Sequence, residues 1–362
     1  MKPKRVLHVI DSLHLGGAQE VVMNIVNGAN RERYVHEVAT MHGRGIYWDR
    51  LAAQGVPLHS LSPHKLVPLY VPALAALLKK GAFDILHCHL IAANIVAKPI
   101  GAACGVPLIL NHDHTNDPKR GDVAWLLALD RWANGFAQHH VAVSASCRDF
   151  LISREGIPPE NISLVLNAIH VARFQPQRTH RSPGAPFIAG VGRLNAQKNF
   201  SLFLEIAAQV AIRHPDARFL IAGTGPEEQH LRSEAARLGI ADQVTFAGYV
   251  ADPRTIYEKA DLLLMPSNFE GLPMTLLEAM AMEVPVVASR LDGIAEVIDD
   301  GVDGALCTPG DASAFVTAIN HLLSDPAART AMGVAAREKV LSRFSARRMV
   351  DEIEEIYDRL LP

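Results

Sequence analysis

The chain switches repeatedly between two hydrophobic periods. Short apolar runs at 6–10, 36–41, 56–60, 85–89, 107–110 and 139–143 have the length of strands. Between and after them, at 18–26, 46–54, 71–80, 92–104, 124–134 and 145–154, apolar residues recur at helical spacing. The second half repeats the design, with strands at 187–192, 218–222, 244–246, 260–265 and 284–288. Its helices fall at 199–214, 226–238, 255–260 and 274–282, with three more from 311 to the end. Apolar strands alternating with amphipathic helices predict the α/β class, with mostly parallel sheets covered on both faces. At 362 residues the chain exceeds the size at which single cores stop growing, so two doubly wound domains are expected. Their junction is expected in the polar, proline-bearing stretch 175–186, giving domains 1–175 and 176–345.

Composition narrows the function classes. With 49% hydrophobic and 20% charged residues the chain can bury two cores, and a net charge of −3 gives no footprint for nucleic acid. Residues 1–170 hold 16 Lys and Arg against 13 Asp and Glu, and the remainder 19 against 25, so the first half is the mildly positive one. Cys88, Cys104, Cys147 and Cys307 lack C-x-x-C spacing, which points to reduced thiols and a cytoplasmic protein. The first apolar run stops at Asp11 with no cleavage pattern after it, and no apolar stretch of about 18 residues occurs.

Candidate chemistry gathers where predicted strands end. Glu270 lies in the loop Glu270-Gly271-Leu272-Pro273, and Glu278 about one turn inside the following helix. Free N–H groups and the positive end of the helix dipole there favour an anionic ligand such as a phosphate. Taken alone, the stretch reads equally as a βα unit with an acidic loop. Arg193 and Lys198, five apart after the 187–192 strand, combine a planar fork of donors with a point charge, a pair suited to a diphosphate. Gly-rich strand-to-helix turns at Gly16-Gly17 and ending at Gly225 permit close backbone approach. His87 and His89, and His112 and His114, sit at i, i+2, which puts each pair on one strand face. Ordinary hydrogen bonding is the better reading of them, so no metal site is expected. No D-x-D occurs to hold a diphosphate-bound cation.

In order and spacing these motifs resemble the retaining, GT-B-fold glycosyltransferases of family four, those with a second-domain E-x7-E motif. The resemblance covers nearly the whole chain, from Gly16-Gly17 and Asp84-Ile-Leu-His87 through Gly192-Arg193 and Lys198 to Glu270-Gly-Leu-Pro273 and Glu278. It implies two Rossmann-like domains facing across a cleft, with the last helix, about 346–362, packing back on the first. It further implies a metal-independent hexosyltransferase with no cofactor, which uses a UDP-, GDP- or ADP-sugar held mainly by the second domain. Arg193 and Lys198 would grip the diphosphate, Glu278 the ribose and Glu270 the transferred sugar. Backbone at Gly271, Leu272 and Pro273, with Gly225, would add donor contacts, and Gly16 and Gly17 would approach the phosphate. His114 would contact the sugar near the reaction centre, with His112 the alternative. Departures from the family pattern are Gln19 for the usual Glu and Ala168 for the usual Gly of an Asn-Gly turn.

The expected acceptor is a glycan, lipid-linked or small-molecule hydroxyl bound by the first domain. A lipid-linked acceptor would bring the protein to the inner face of the membrane. The stretch 67–80 reads either as an amphipathic surface helix or as a core helix, with the core the stronger reading. The rival readings are a catalytically silent nucleotide-sugar-binding partner of another transferase and a GT-B-fold sugar-nucleotide epimerase.

Overall fold

A computed structural model describes residues 2–14, 16–62, 67–114, 123–177 and 184–361, and the side chains of 67–69 are not described. Of the expected junction 175–186, residues 178–183 lie outside the described residues. The chain forms two compact units, Met1–Ala168 with Ala346–Pro362, and Ile169–Ser345. The second unit thus begins before residue 175, because apolar contact rather than linker composition sets the boundary. Phe174 is buried, and Ile169 pairs with Ser345 where the chain leaves that unit.

The first unit holds β1 (Lys4–Ile10), α1 (Gly17–Gly28), β2 (Tyr34–Thr40), α2 (Ile46–Ala53), β3 (Leu58–Ser60), α3 (Val67–Gly81) and β4 (Ile85–His89). It continues with α4 (Ile91–Ala103), β5 (Leu108–Asp113), α5 (Ala124–Asn134), β6 (His139–Ala142), α6 (Ala145–Phe150) and β7 (Ile162–Leu164). Its sheet runs β3-β2-β1-β4-β5-β6-β7, with every pairing parallel. β4 is buried along its whole length, as a strand covered on both faces must be. On α3, Tyr70, Leu74 and Leu78 recur every fourth residue and enter the core with Leu7, Val9 and Leu86. That is the core reading of the 67–80 stretch.

In the second unit come β8 (Phe187–Val191), α7 (Phe200–Arg213), β9 (Arg218–Ala222), α8 (Glu228–Arg237), β10 (Val244–Gly248), α9 (Arg254–Tyr257) and β11 (Leu262–Met265). Then follow α10 (Met274–Ala281), β12 (Val286–Ser289), α11 (Asp292–Ala295), β13 (Ala305–Cys307), α12 (Ala312–Ser324) and α13 (Pro326–Arg343). The sheet order is β10-β9-β8-β11-β12-β13, again all parallel. Strand order reverses between β8 and β11, and between β1 and β4 in the first sheet. Loops leaving such a switch point diverge and open a crevice at the strands' carboxyl ends. Arg193 and Lys198 follow β8, and Glu270 follows β11.

The last helix, α14 (Ala346–Leu360), belongs to the first unit. Asn30 N–H donates to Glu354 Oε1 at 2.7 Å and Tyr34 Oη to Asp358 Oδ1 at 2.6 Å. Among the described residues none of Cys88, Cys104, Cys147 and Cys307 forms a disulfide. Among the described residues no helix is long and apolar enough to cross a membrane.

Candidate active site

At the switch point of the second sheet, three segments converge on Glu270. This carboxylate is buried, and its Oε1 accepts from Lys198 Nζ at 2.5 Å and from Ser267 Oγ at 2.8 Å. Gln197 Nε2 reaches Oε2 at 3.4 Å and the Phe269 carbonyl at 3.2 Å. A buried carboxylate is costly unless paired and hydrogen-bonded, and here it is both. Lys198 and Ser267 also line a small pocket with Val191 and Pro266. Arg193 is exposed on the same loop as Lys198. Lys198 is thus held by Glu270.

α10 starts immediately after Pro273, and no side chain caps it. Its first-turn N–H groups point toward the strand ends, where a helix terminus favours anions. Gly271, Leu272 and Pro273 are buried at this entry. Glu278, one turn inside, accepts from the Tyr257 hydroxyl at 2.9 Å. Burial, reinforced by Glu278, pushes that phenol well above its ordinary value, so it stays a donor. Thr275 Oγ1, in the first turn, is buried and finds no hydrogen-bond partner among the described residues.

Backbone packing fixes these loops. A Cβ on Gly293 would lie 1.5 Å from the Gly271 carbonyl oxygen, so α11 and the 270–271 loop can meet only through glycine. A Cβ on Gly225 would lie 2.2 Å from the Leu194 carbonyl oxygen, and Leu194 N–H donates to the Thr224 carbonyl at 3.0 Å. Gly225 thus fastens its turn to the loop that carries Arg193 and Lys198, a packing role in addition to the ligand approach expected of it. Ser267 and Gly293 lie in stretches that carry the family resemblance, whereas sequence reasoning missed Gln197 and Tyr257. Those two act on Glu270 and Glu278 through neighbours distant in the chain, for which periodicity has no signal.

In the first unit, Gly16 and Gly17 open α1, and both are exposed. The Gln19 side chain folds back over Gly16 and donates to the Ser12 carbonyl at 3.0 Å, so it serves the loop. Asp11 closes the switch point by accepting from Ala93 N–H at 2.9 Å. His114 follows β5 and is half-buried, whereas His112 lies inside the strand and is fully buried.

Parallel register assembles these two with four further histidines. Opposite one another stand His8 and His87, and His89 and His112. One hydrogen-bonded chain runs His36 to His8 at 2.8 Å, His8 to His89 at 3.0 Å and His89 to His114 at 3.1 Å. A second runs from Tyr357 through His87 at 2.6 Å to His112 at 3.1 Å. A neutral imidazole has one donor and one acceptor, which suits such chains. Burial lowers His36 and His114 to about 4 and puts His8, His87, His89 and His112 well below the ordinary histidine range. Ring nitrogens of His8, His87 and His89, and of His89, His112 and His114, lie within 4.8 Å of one another. Three imidazoles can ligate zinc or a similar ion, but here they are engaged with one another. The i, i+2 spacing revealed only the same-strand pairs, because cross-strand neighbours depend on register.

The family follows from comparison with known proteins. Residues 172–339 match the family described as glycosyl transferases group 1, and residues 15–173 match glycosyltransferase family 4. The chain belongs to the group 1 glycosyltransferases, hexosyltransferase-type enzymes that bind nucleotide sugars. It is 28% identical over 298 residues to a putative glycosyltransferase, EpsD, of Bacillus subtilis, covering 76% of each chain. It is 25% identical over 302 residues to the UDP-Gal:α-D-GlcNAc-diphosphoundecaprenol α-1,3-galactosyltransferase of Escherichia coli, covering 79% of this chain and 78% of that one. Among solved structures, Anabaena HepE in complex with UDP-glucose shares the fold, with a TM-score of 0.86, 20% identity and coverage of 98% and 99%. These relationships favour neither the silent partner nor the epimerase.

Proposed function

We propose that the chain transfers a sugar, with retention and without a metal ion, from a nucleoside diphosphate sugar to a hydroxyl of a glycan, lipid-linked or small-molecule acceptor. The observation that carries this reading is the Lys198–Glu270 pair at 2.5 Å, its carboxylate buried, beside the uncapped start of α10. An ammonium has three donors, so Lys198 can keep Glu270 and still reach a phosphate oxygen. Arg193 takes the rest of the diphosphate, and Glu278, oriented by Tyr257, accepts from the ribose hydroxyls. The backbone N–H groups of Gly271 and Leu272, in the loop that Gly293 packs against, add donors, and Gly225 steadies the loop of Arg193 and Lys198. Gly16 and Gly17, by the family resemblance, meet the donor phosphate, and His114 the transferred sugar.

In this mechanism the cations and helix N–H groups stabilise the departing diphosphate while the anomeric carbon gains oxocarbenium character. The acceptor hydroxyl attacks from the leaving-group face and passes its proton to the departing phosphate oxygen, which gives retention. Arg193 and Lys198 take the place of a divalent cation. The donor complexes of HepE and the UDP-galactose of the Escherichia coli relative make UDP-sugars the first to test. The latter's diphosphoundecaprenol substrate makes a lipid-linked acceptor the leading class. Glu270→Ala and Lys198→Ala are expected to abolish transfer while leaving the fold intact by circular dichroism; undiminished turnover in both variants would sink the assignment. Activity is expected to survive exhaustive EDTA treatment, and loss of turnover rescued by Mn²⁺ would contradict the metal-free mechanism.

A further inference from the structure

α5 is built inside out. Its buried positions are Asp130, Ala133 and Asn134. Its outward positions include Trp125, Leu129 and Trp132, 70%, 37% and 54% exposed, spaced i, i+4, i+7 along one stripe. The buried side is polar for a reason. Asn134 accepts from the fully buried Lys98 ammonium and donates to the buried Glu155 carboxylate, so it anchors this face within the unit. Nothing of that kind explains two tryptophans in water. Each large side chain carries about 200 Å² of surface, so the stripe exposes roughly 300 Å², well short of the roughly 800 Å² per partner of a stable protein interface. A second copy of the chain is therefore a poor occupant.

The rim points to another. Arg131 lies beside Trp132 and donates Nε and Nη2 to the Arg154 carbonyl at 2.9 and 2.5 Å, which brings two exposed arginines to one end of the stripe. Tryptophan flanked by arginine is the composition of the bilayer interface, where the indole sits at headgroup level and the cation meets anionic lipid. We propose that α5 is an interfacial membrane anchor, with Trp125, Leu129 and Trp132 seated among lipid headgroups and Arg131 and Arg154 against anionic phosphates. This deepens the acceptor part of the proposed function by placing the enzyme at the surface that holds a lipid-linked hydroxyl. It rests on that reading for its purpose but on the α5 surface alone for its test.

The test uses the full chain without donor, in co-sedimentation with phosphatidylglycerol–phosphatidylcholine vesicles and with phosphatidylcholine alone. Of the three tryptophans in the chain, two lie on the stripe and Trp48 is buried, so a change in emission on adding vesicles reports the stripe. Partition to the anionic vesicles with a blue-shifted emission is expected, weakened by high salt. The double variant Trp125→Ser, Trp132→Ser should lose more than tenfold in partition, since each indole removes one large apolar burial, with an unchanged melting temperature. Arg131→Ala should reduce the preference for anionic vesicles alone. Absent partition, equal partition by the double variant, a concentration-dependent dimer, or emission that answers soluble oligosaccharides but not vesicles would each overturn the anchor. Nucleotide-sugar binding by the same variants is measured separately, so failure of the anchor and failure of the donor site are distinguishable.

Discussion

The Glu278 carboxylate depends on one hydroxyl. Tyr257→Phe removes the 2.9 Å hydrogen bond that orients it, and hydrogen bonds to charged groups are worth about 1.5–3 kcal/mol. Because Glu278 is only half-buried, the lower end of that range applies, and the Michaelis constant for the donor is expected to rise about tenfold with kcat nearly unchanged. Steady-state kinetics separate the two. The histidine chains make a second prediction. His36 and His114 are lowered to about 4 in the folded state, below the ordinary unfolded value of about 6.5. Both are neutral above that unfolded value, so their contribution is complete at pH 7. As pH falls, the unfolded chain takes up protons first, and stability is lost between about 6.5 and 4. From pH 7 to pH 5 each of the two costs about 2 kcal/mol, and the four other buried imidazoles add in the same direction. Urea denaturation at the two pH values checks this, and a flat profile would contradict it. The candidate residues Glu270, Lys198 and Arg193 were legible because each follows an apolar strand. That Lys198 is spent partly on Glu270 was not, since the two are far apart in the chain and only the fold makes them neighbours.

At the scale of elements, the strand and helix alternation was readable almost throughout, because parallel strands buried on both faces leave continuous apolar runs such as 262–265. α5 was the exception in meaning. Its stripe of Trp125, Leu129 and Trp132 has the spacing of a core face, and only the burial of Asp130 and Asn134 shows that the face is turned outward. Helical periodicity reports that a helix has two faces and not which one the protein covers. Composition marks polar linkers and not where compact units divide, so the division after Ala168 carried no signal in the sequence. Loop packing gives a prediction at this scale. Gly293→Ala puts a methyl group where the Gly271 carbonyl lies, so the 270–271 loop must shift. Transfer is expected to fall at least a hundredfold, as small displacements of a reacting group cost that much. The melting temperature should drop by only a few degrees, and unaltered activity would show that the loop does not position the sugar contact.

For the whole molecule, two parallel sheets carry two kinds of equipment. The second unit presents cations, paired carboxylates and a helix terminus, all chemistry of a nucleoside diphosphate sugar. The first presents a histidine-lined sheet and an outward aromatic helix, which we propose meet a neutral sugar and a lipid surface. Fold class and family were legible in full because order and spacing of many weak motifs are jointly specific. Donor base, sugar and acceptor were not, because contacts from main-chain atoms leave no residue signature. The central claim is that Lys198, Glu270 and the start of α10 form a donor site, and a thermal-shift panel of UDP-, GDP- and ADP-sugars tests it most directly. A ligand at 100 times its dissociation constant adds about 2.7 kcal/mol of stability, so one class of nucleotide sugar should raise the melting temperature by several degrees in the native chain. That shift should disappear in Lys198→Ala. A native chain that none of the three classes stabilises, or a Lys198→Ala variant stabilised as fully as the native one, would contradict the account.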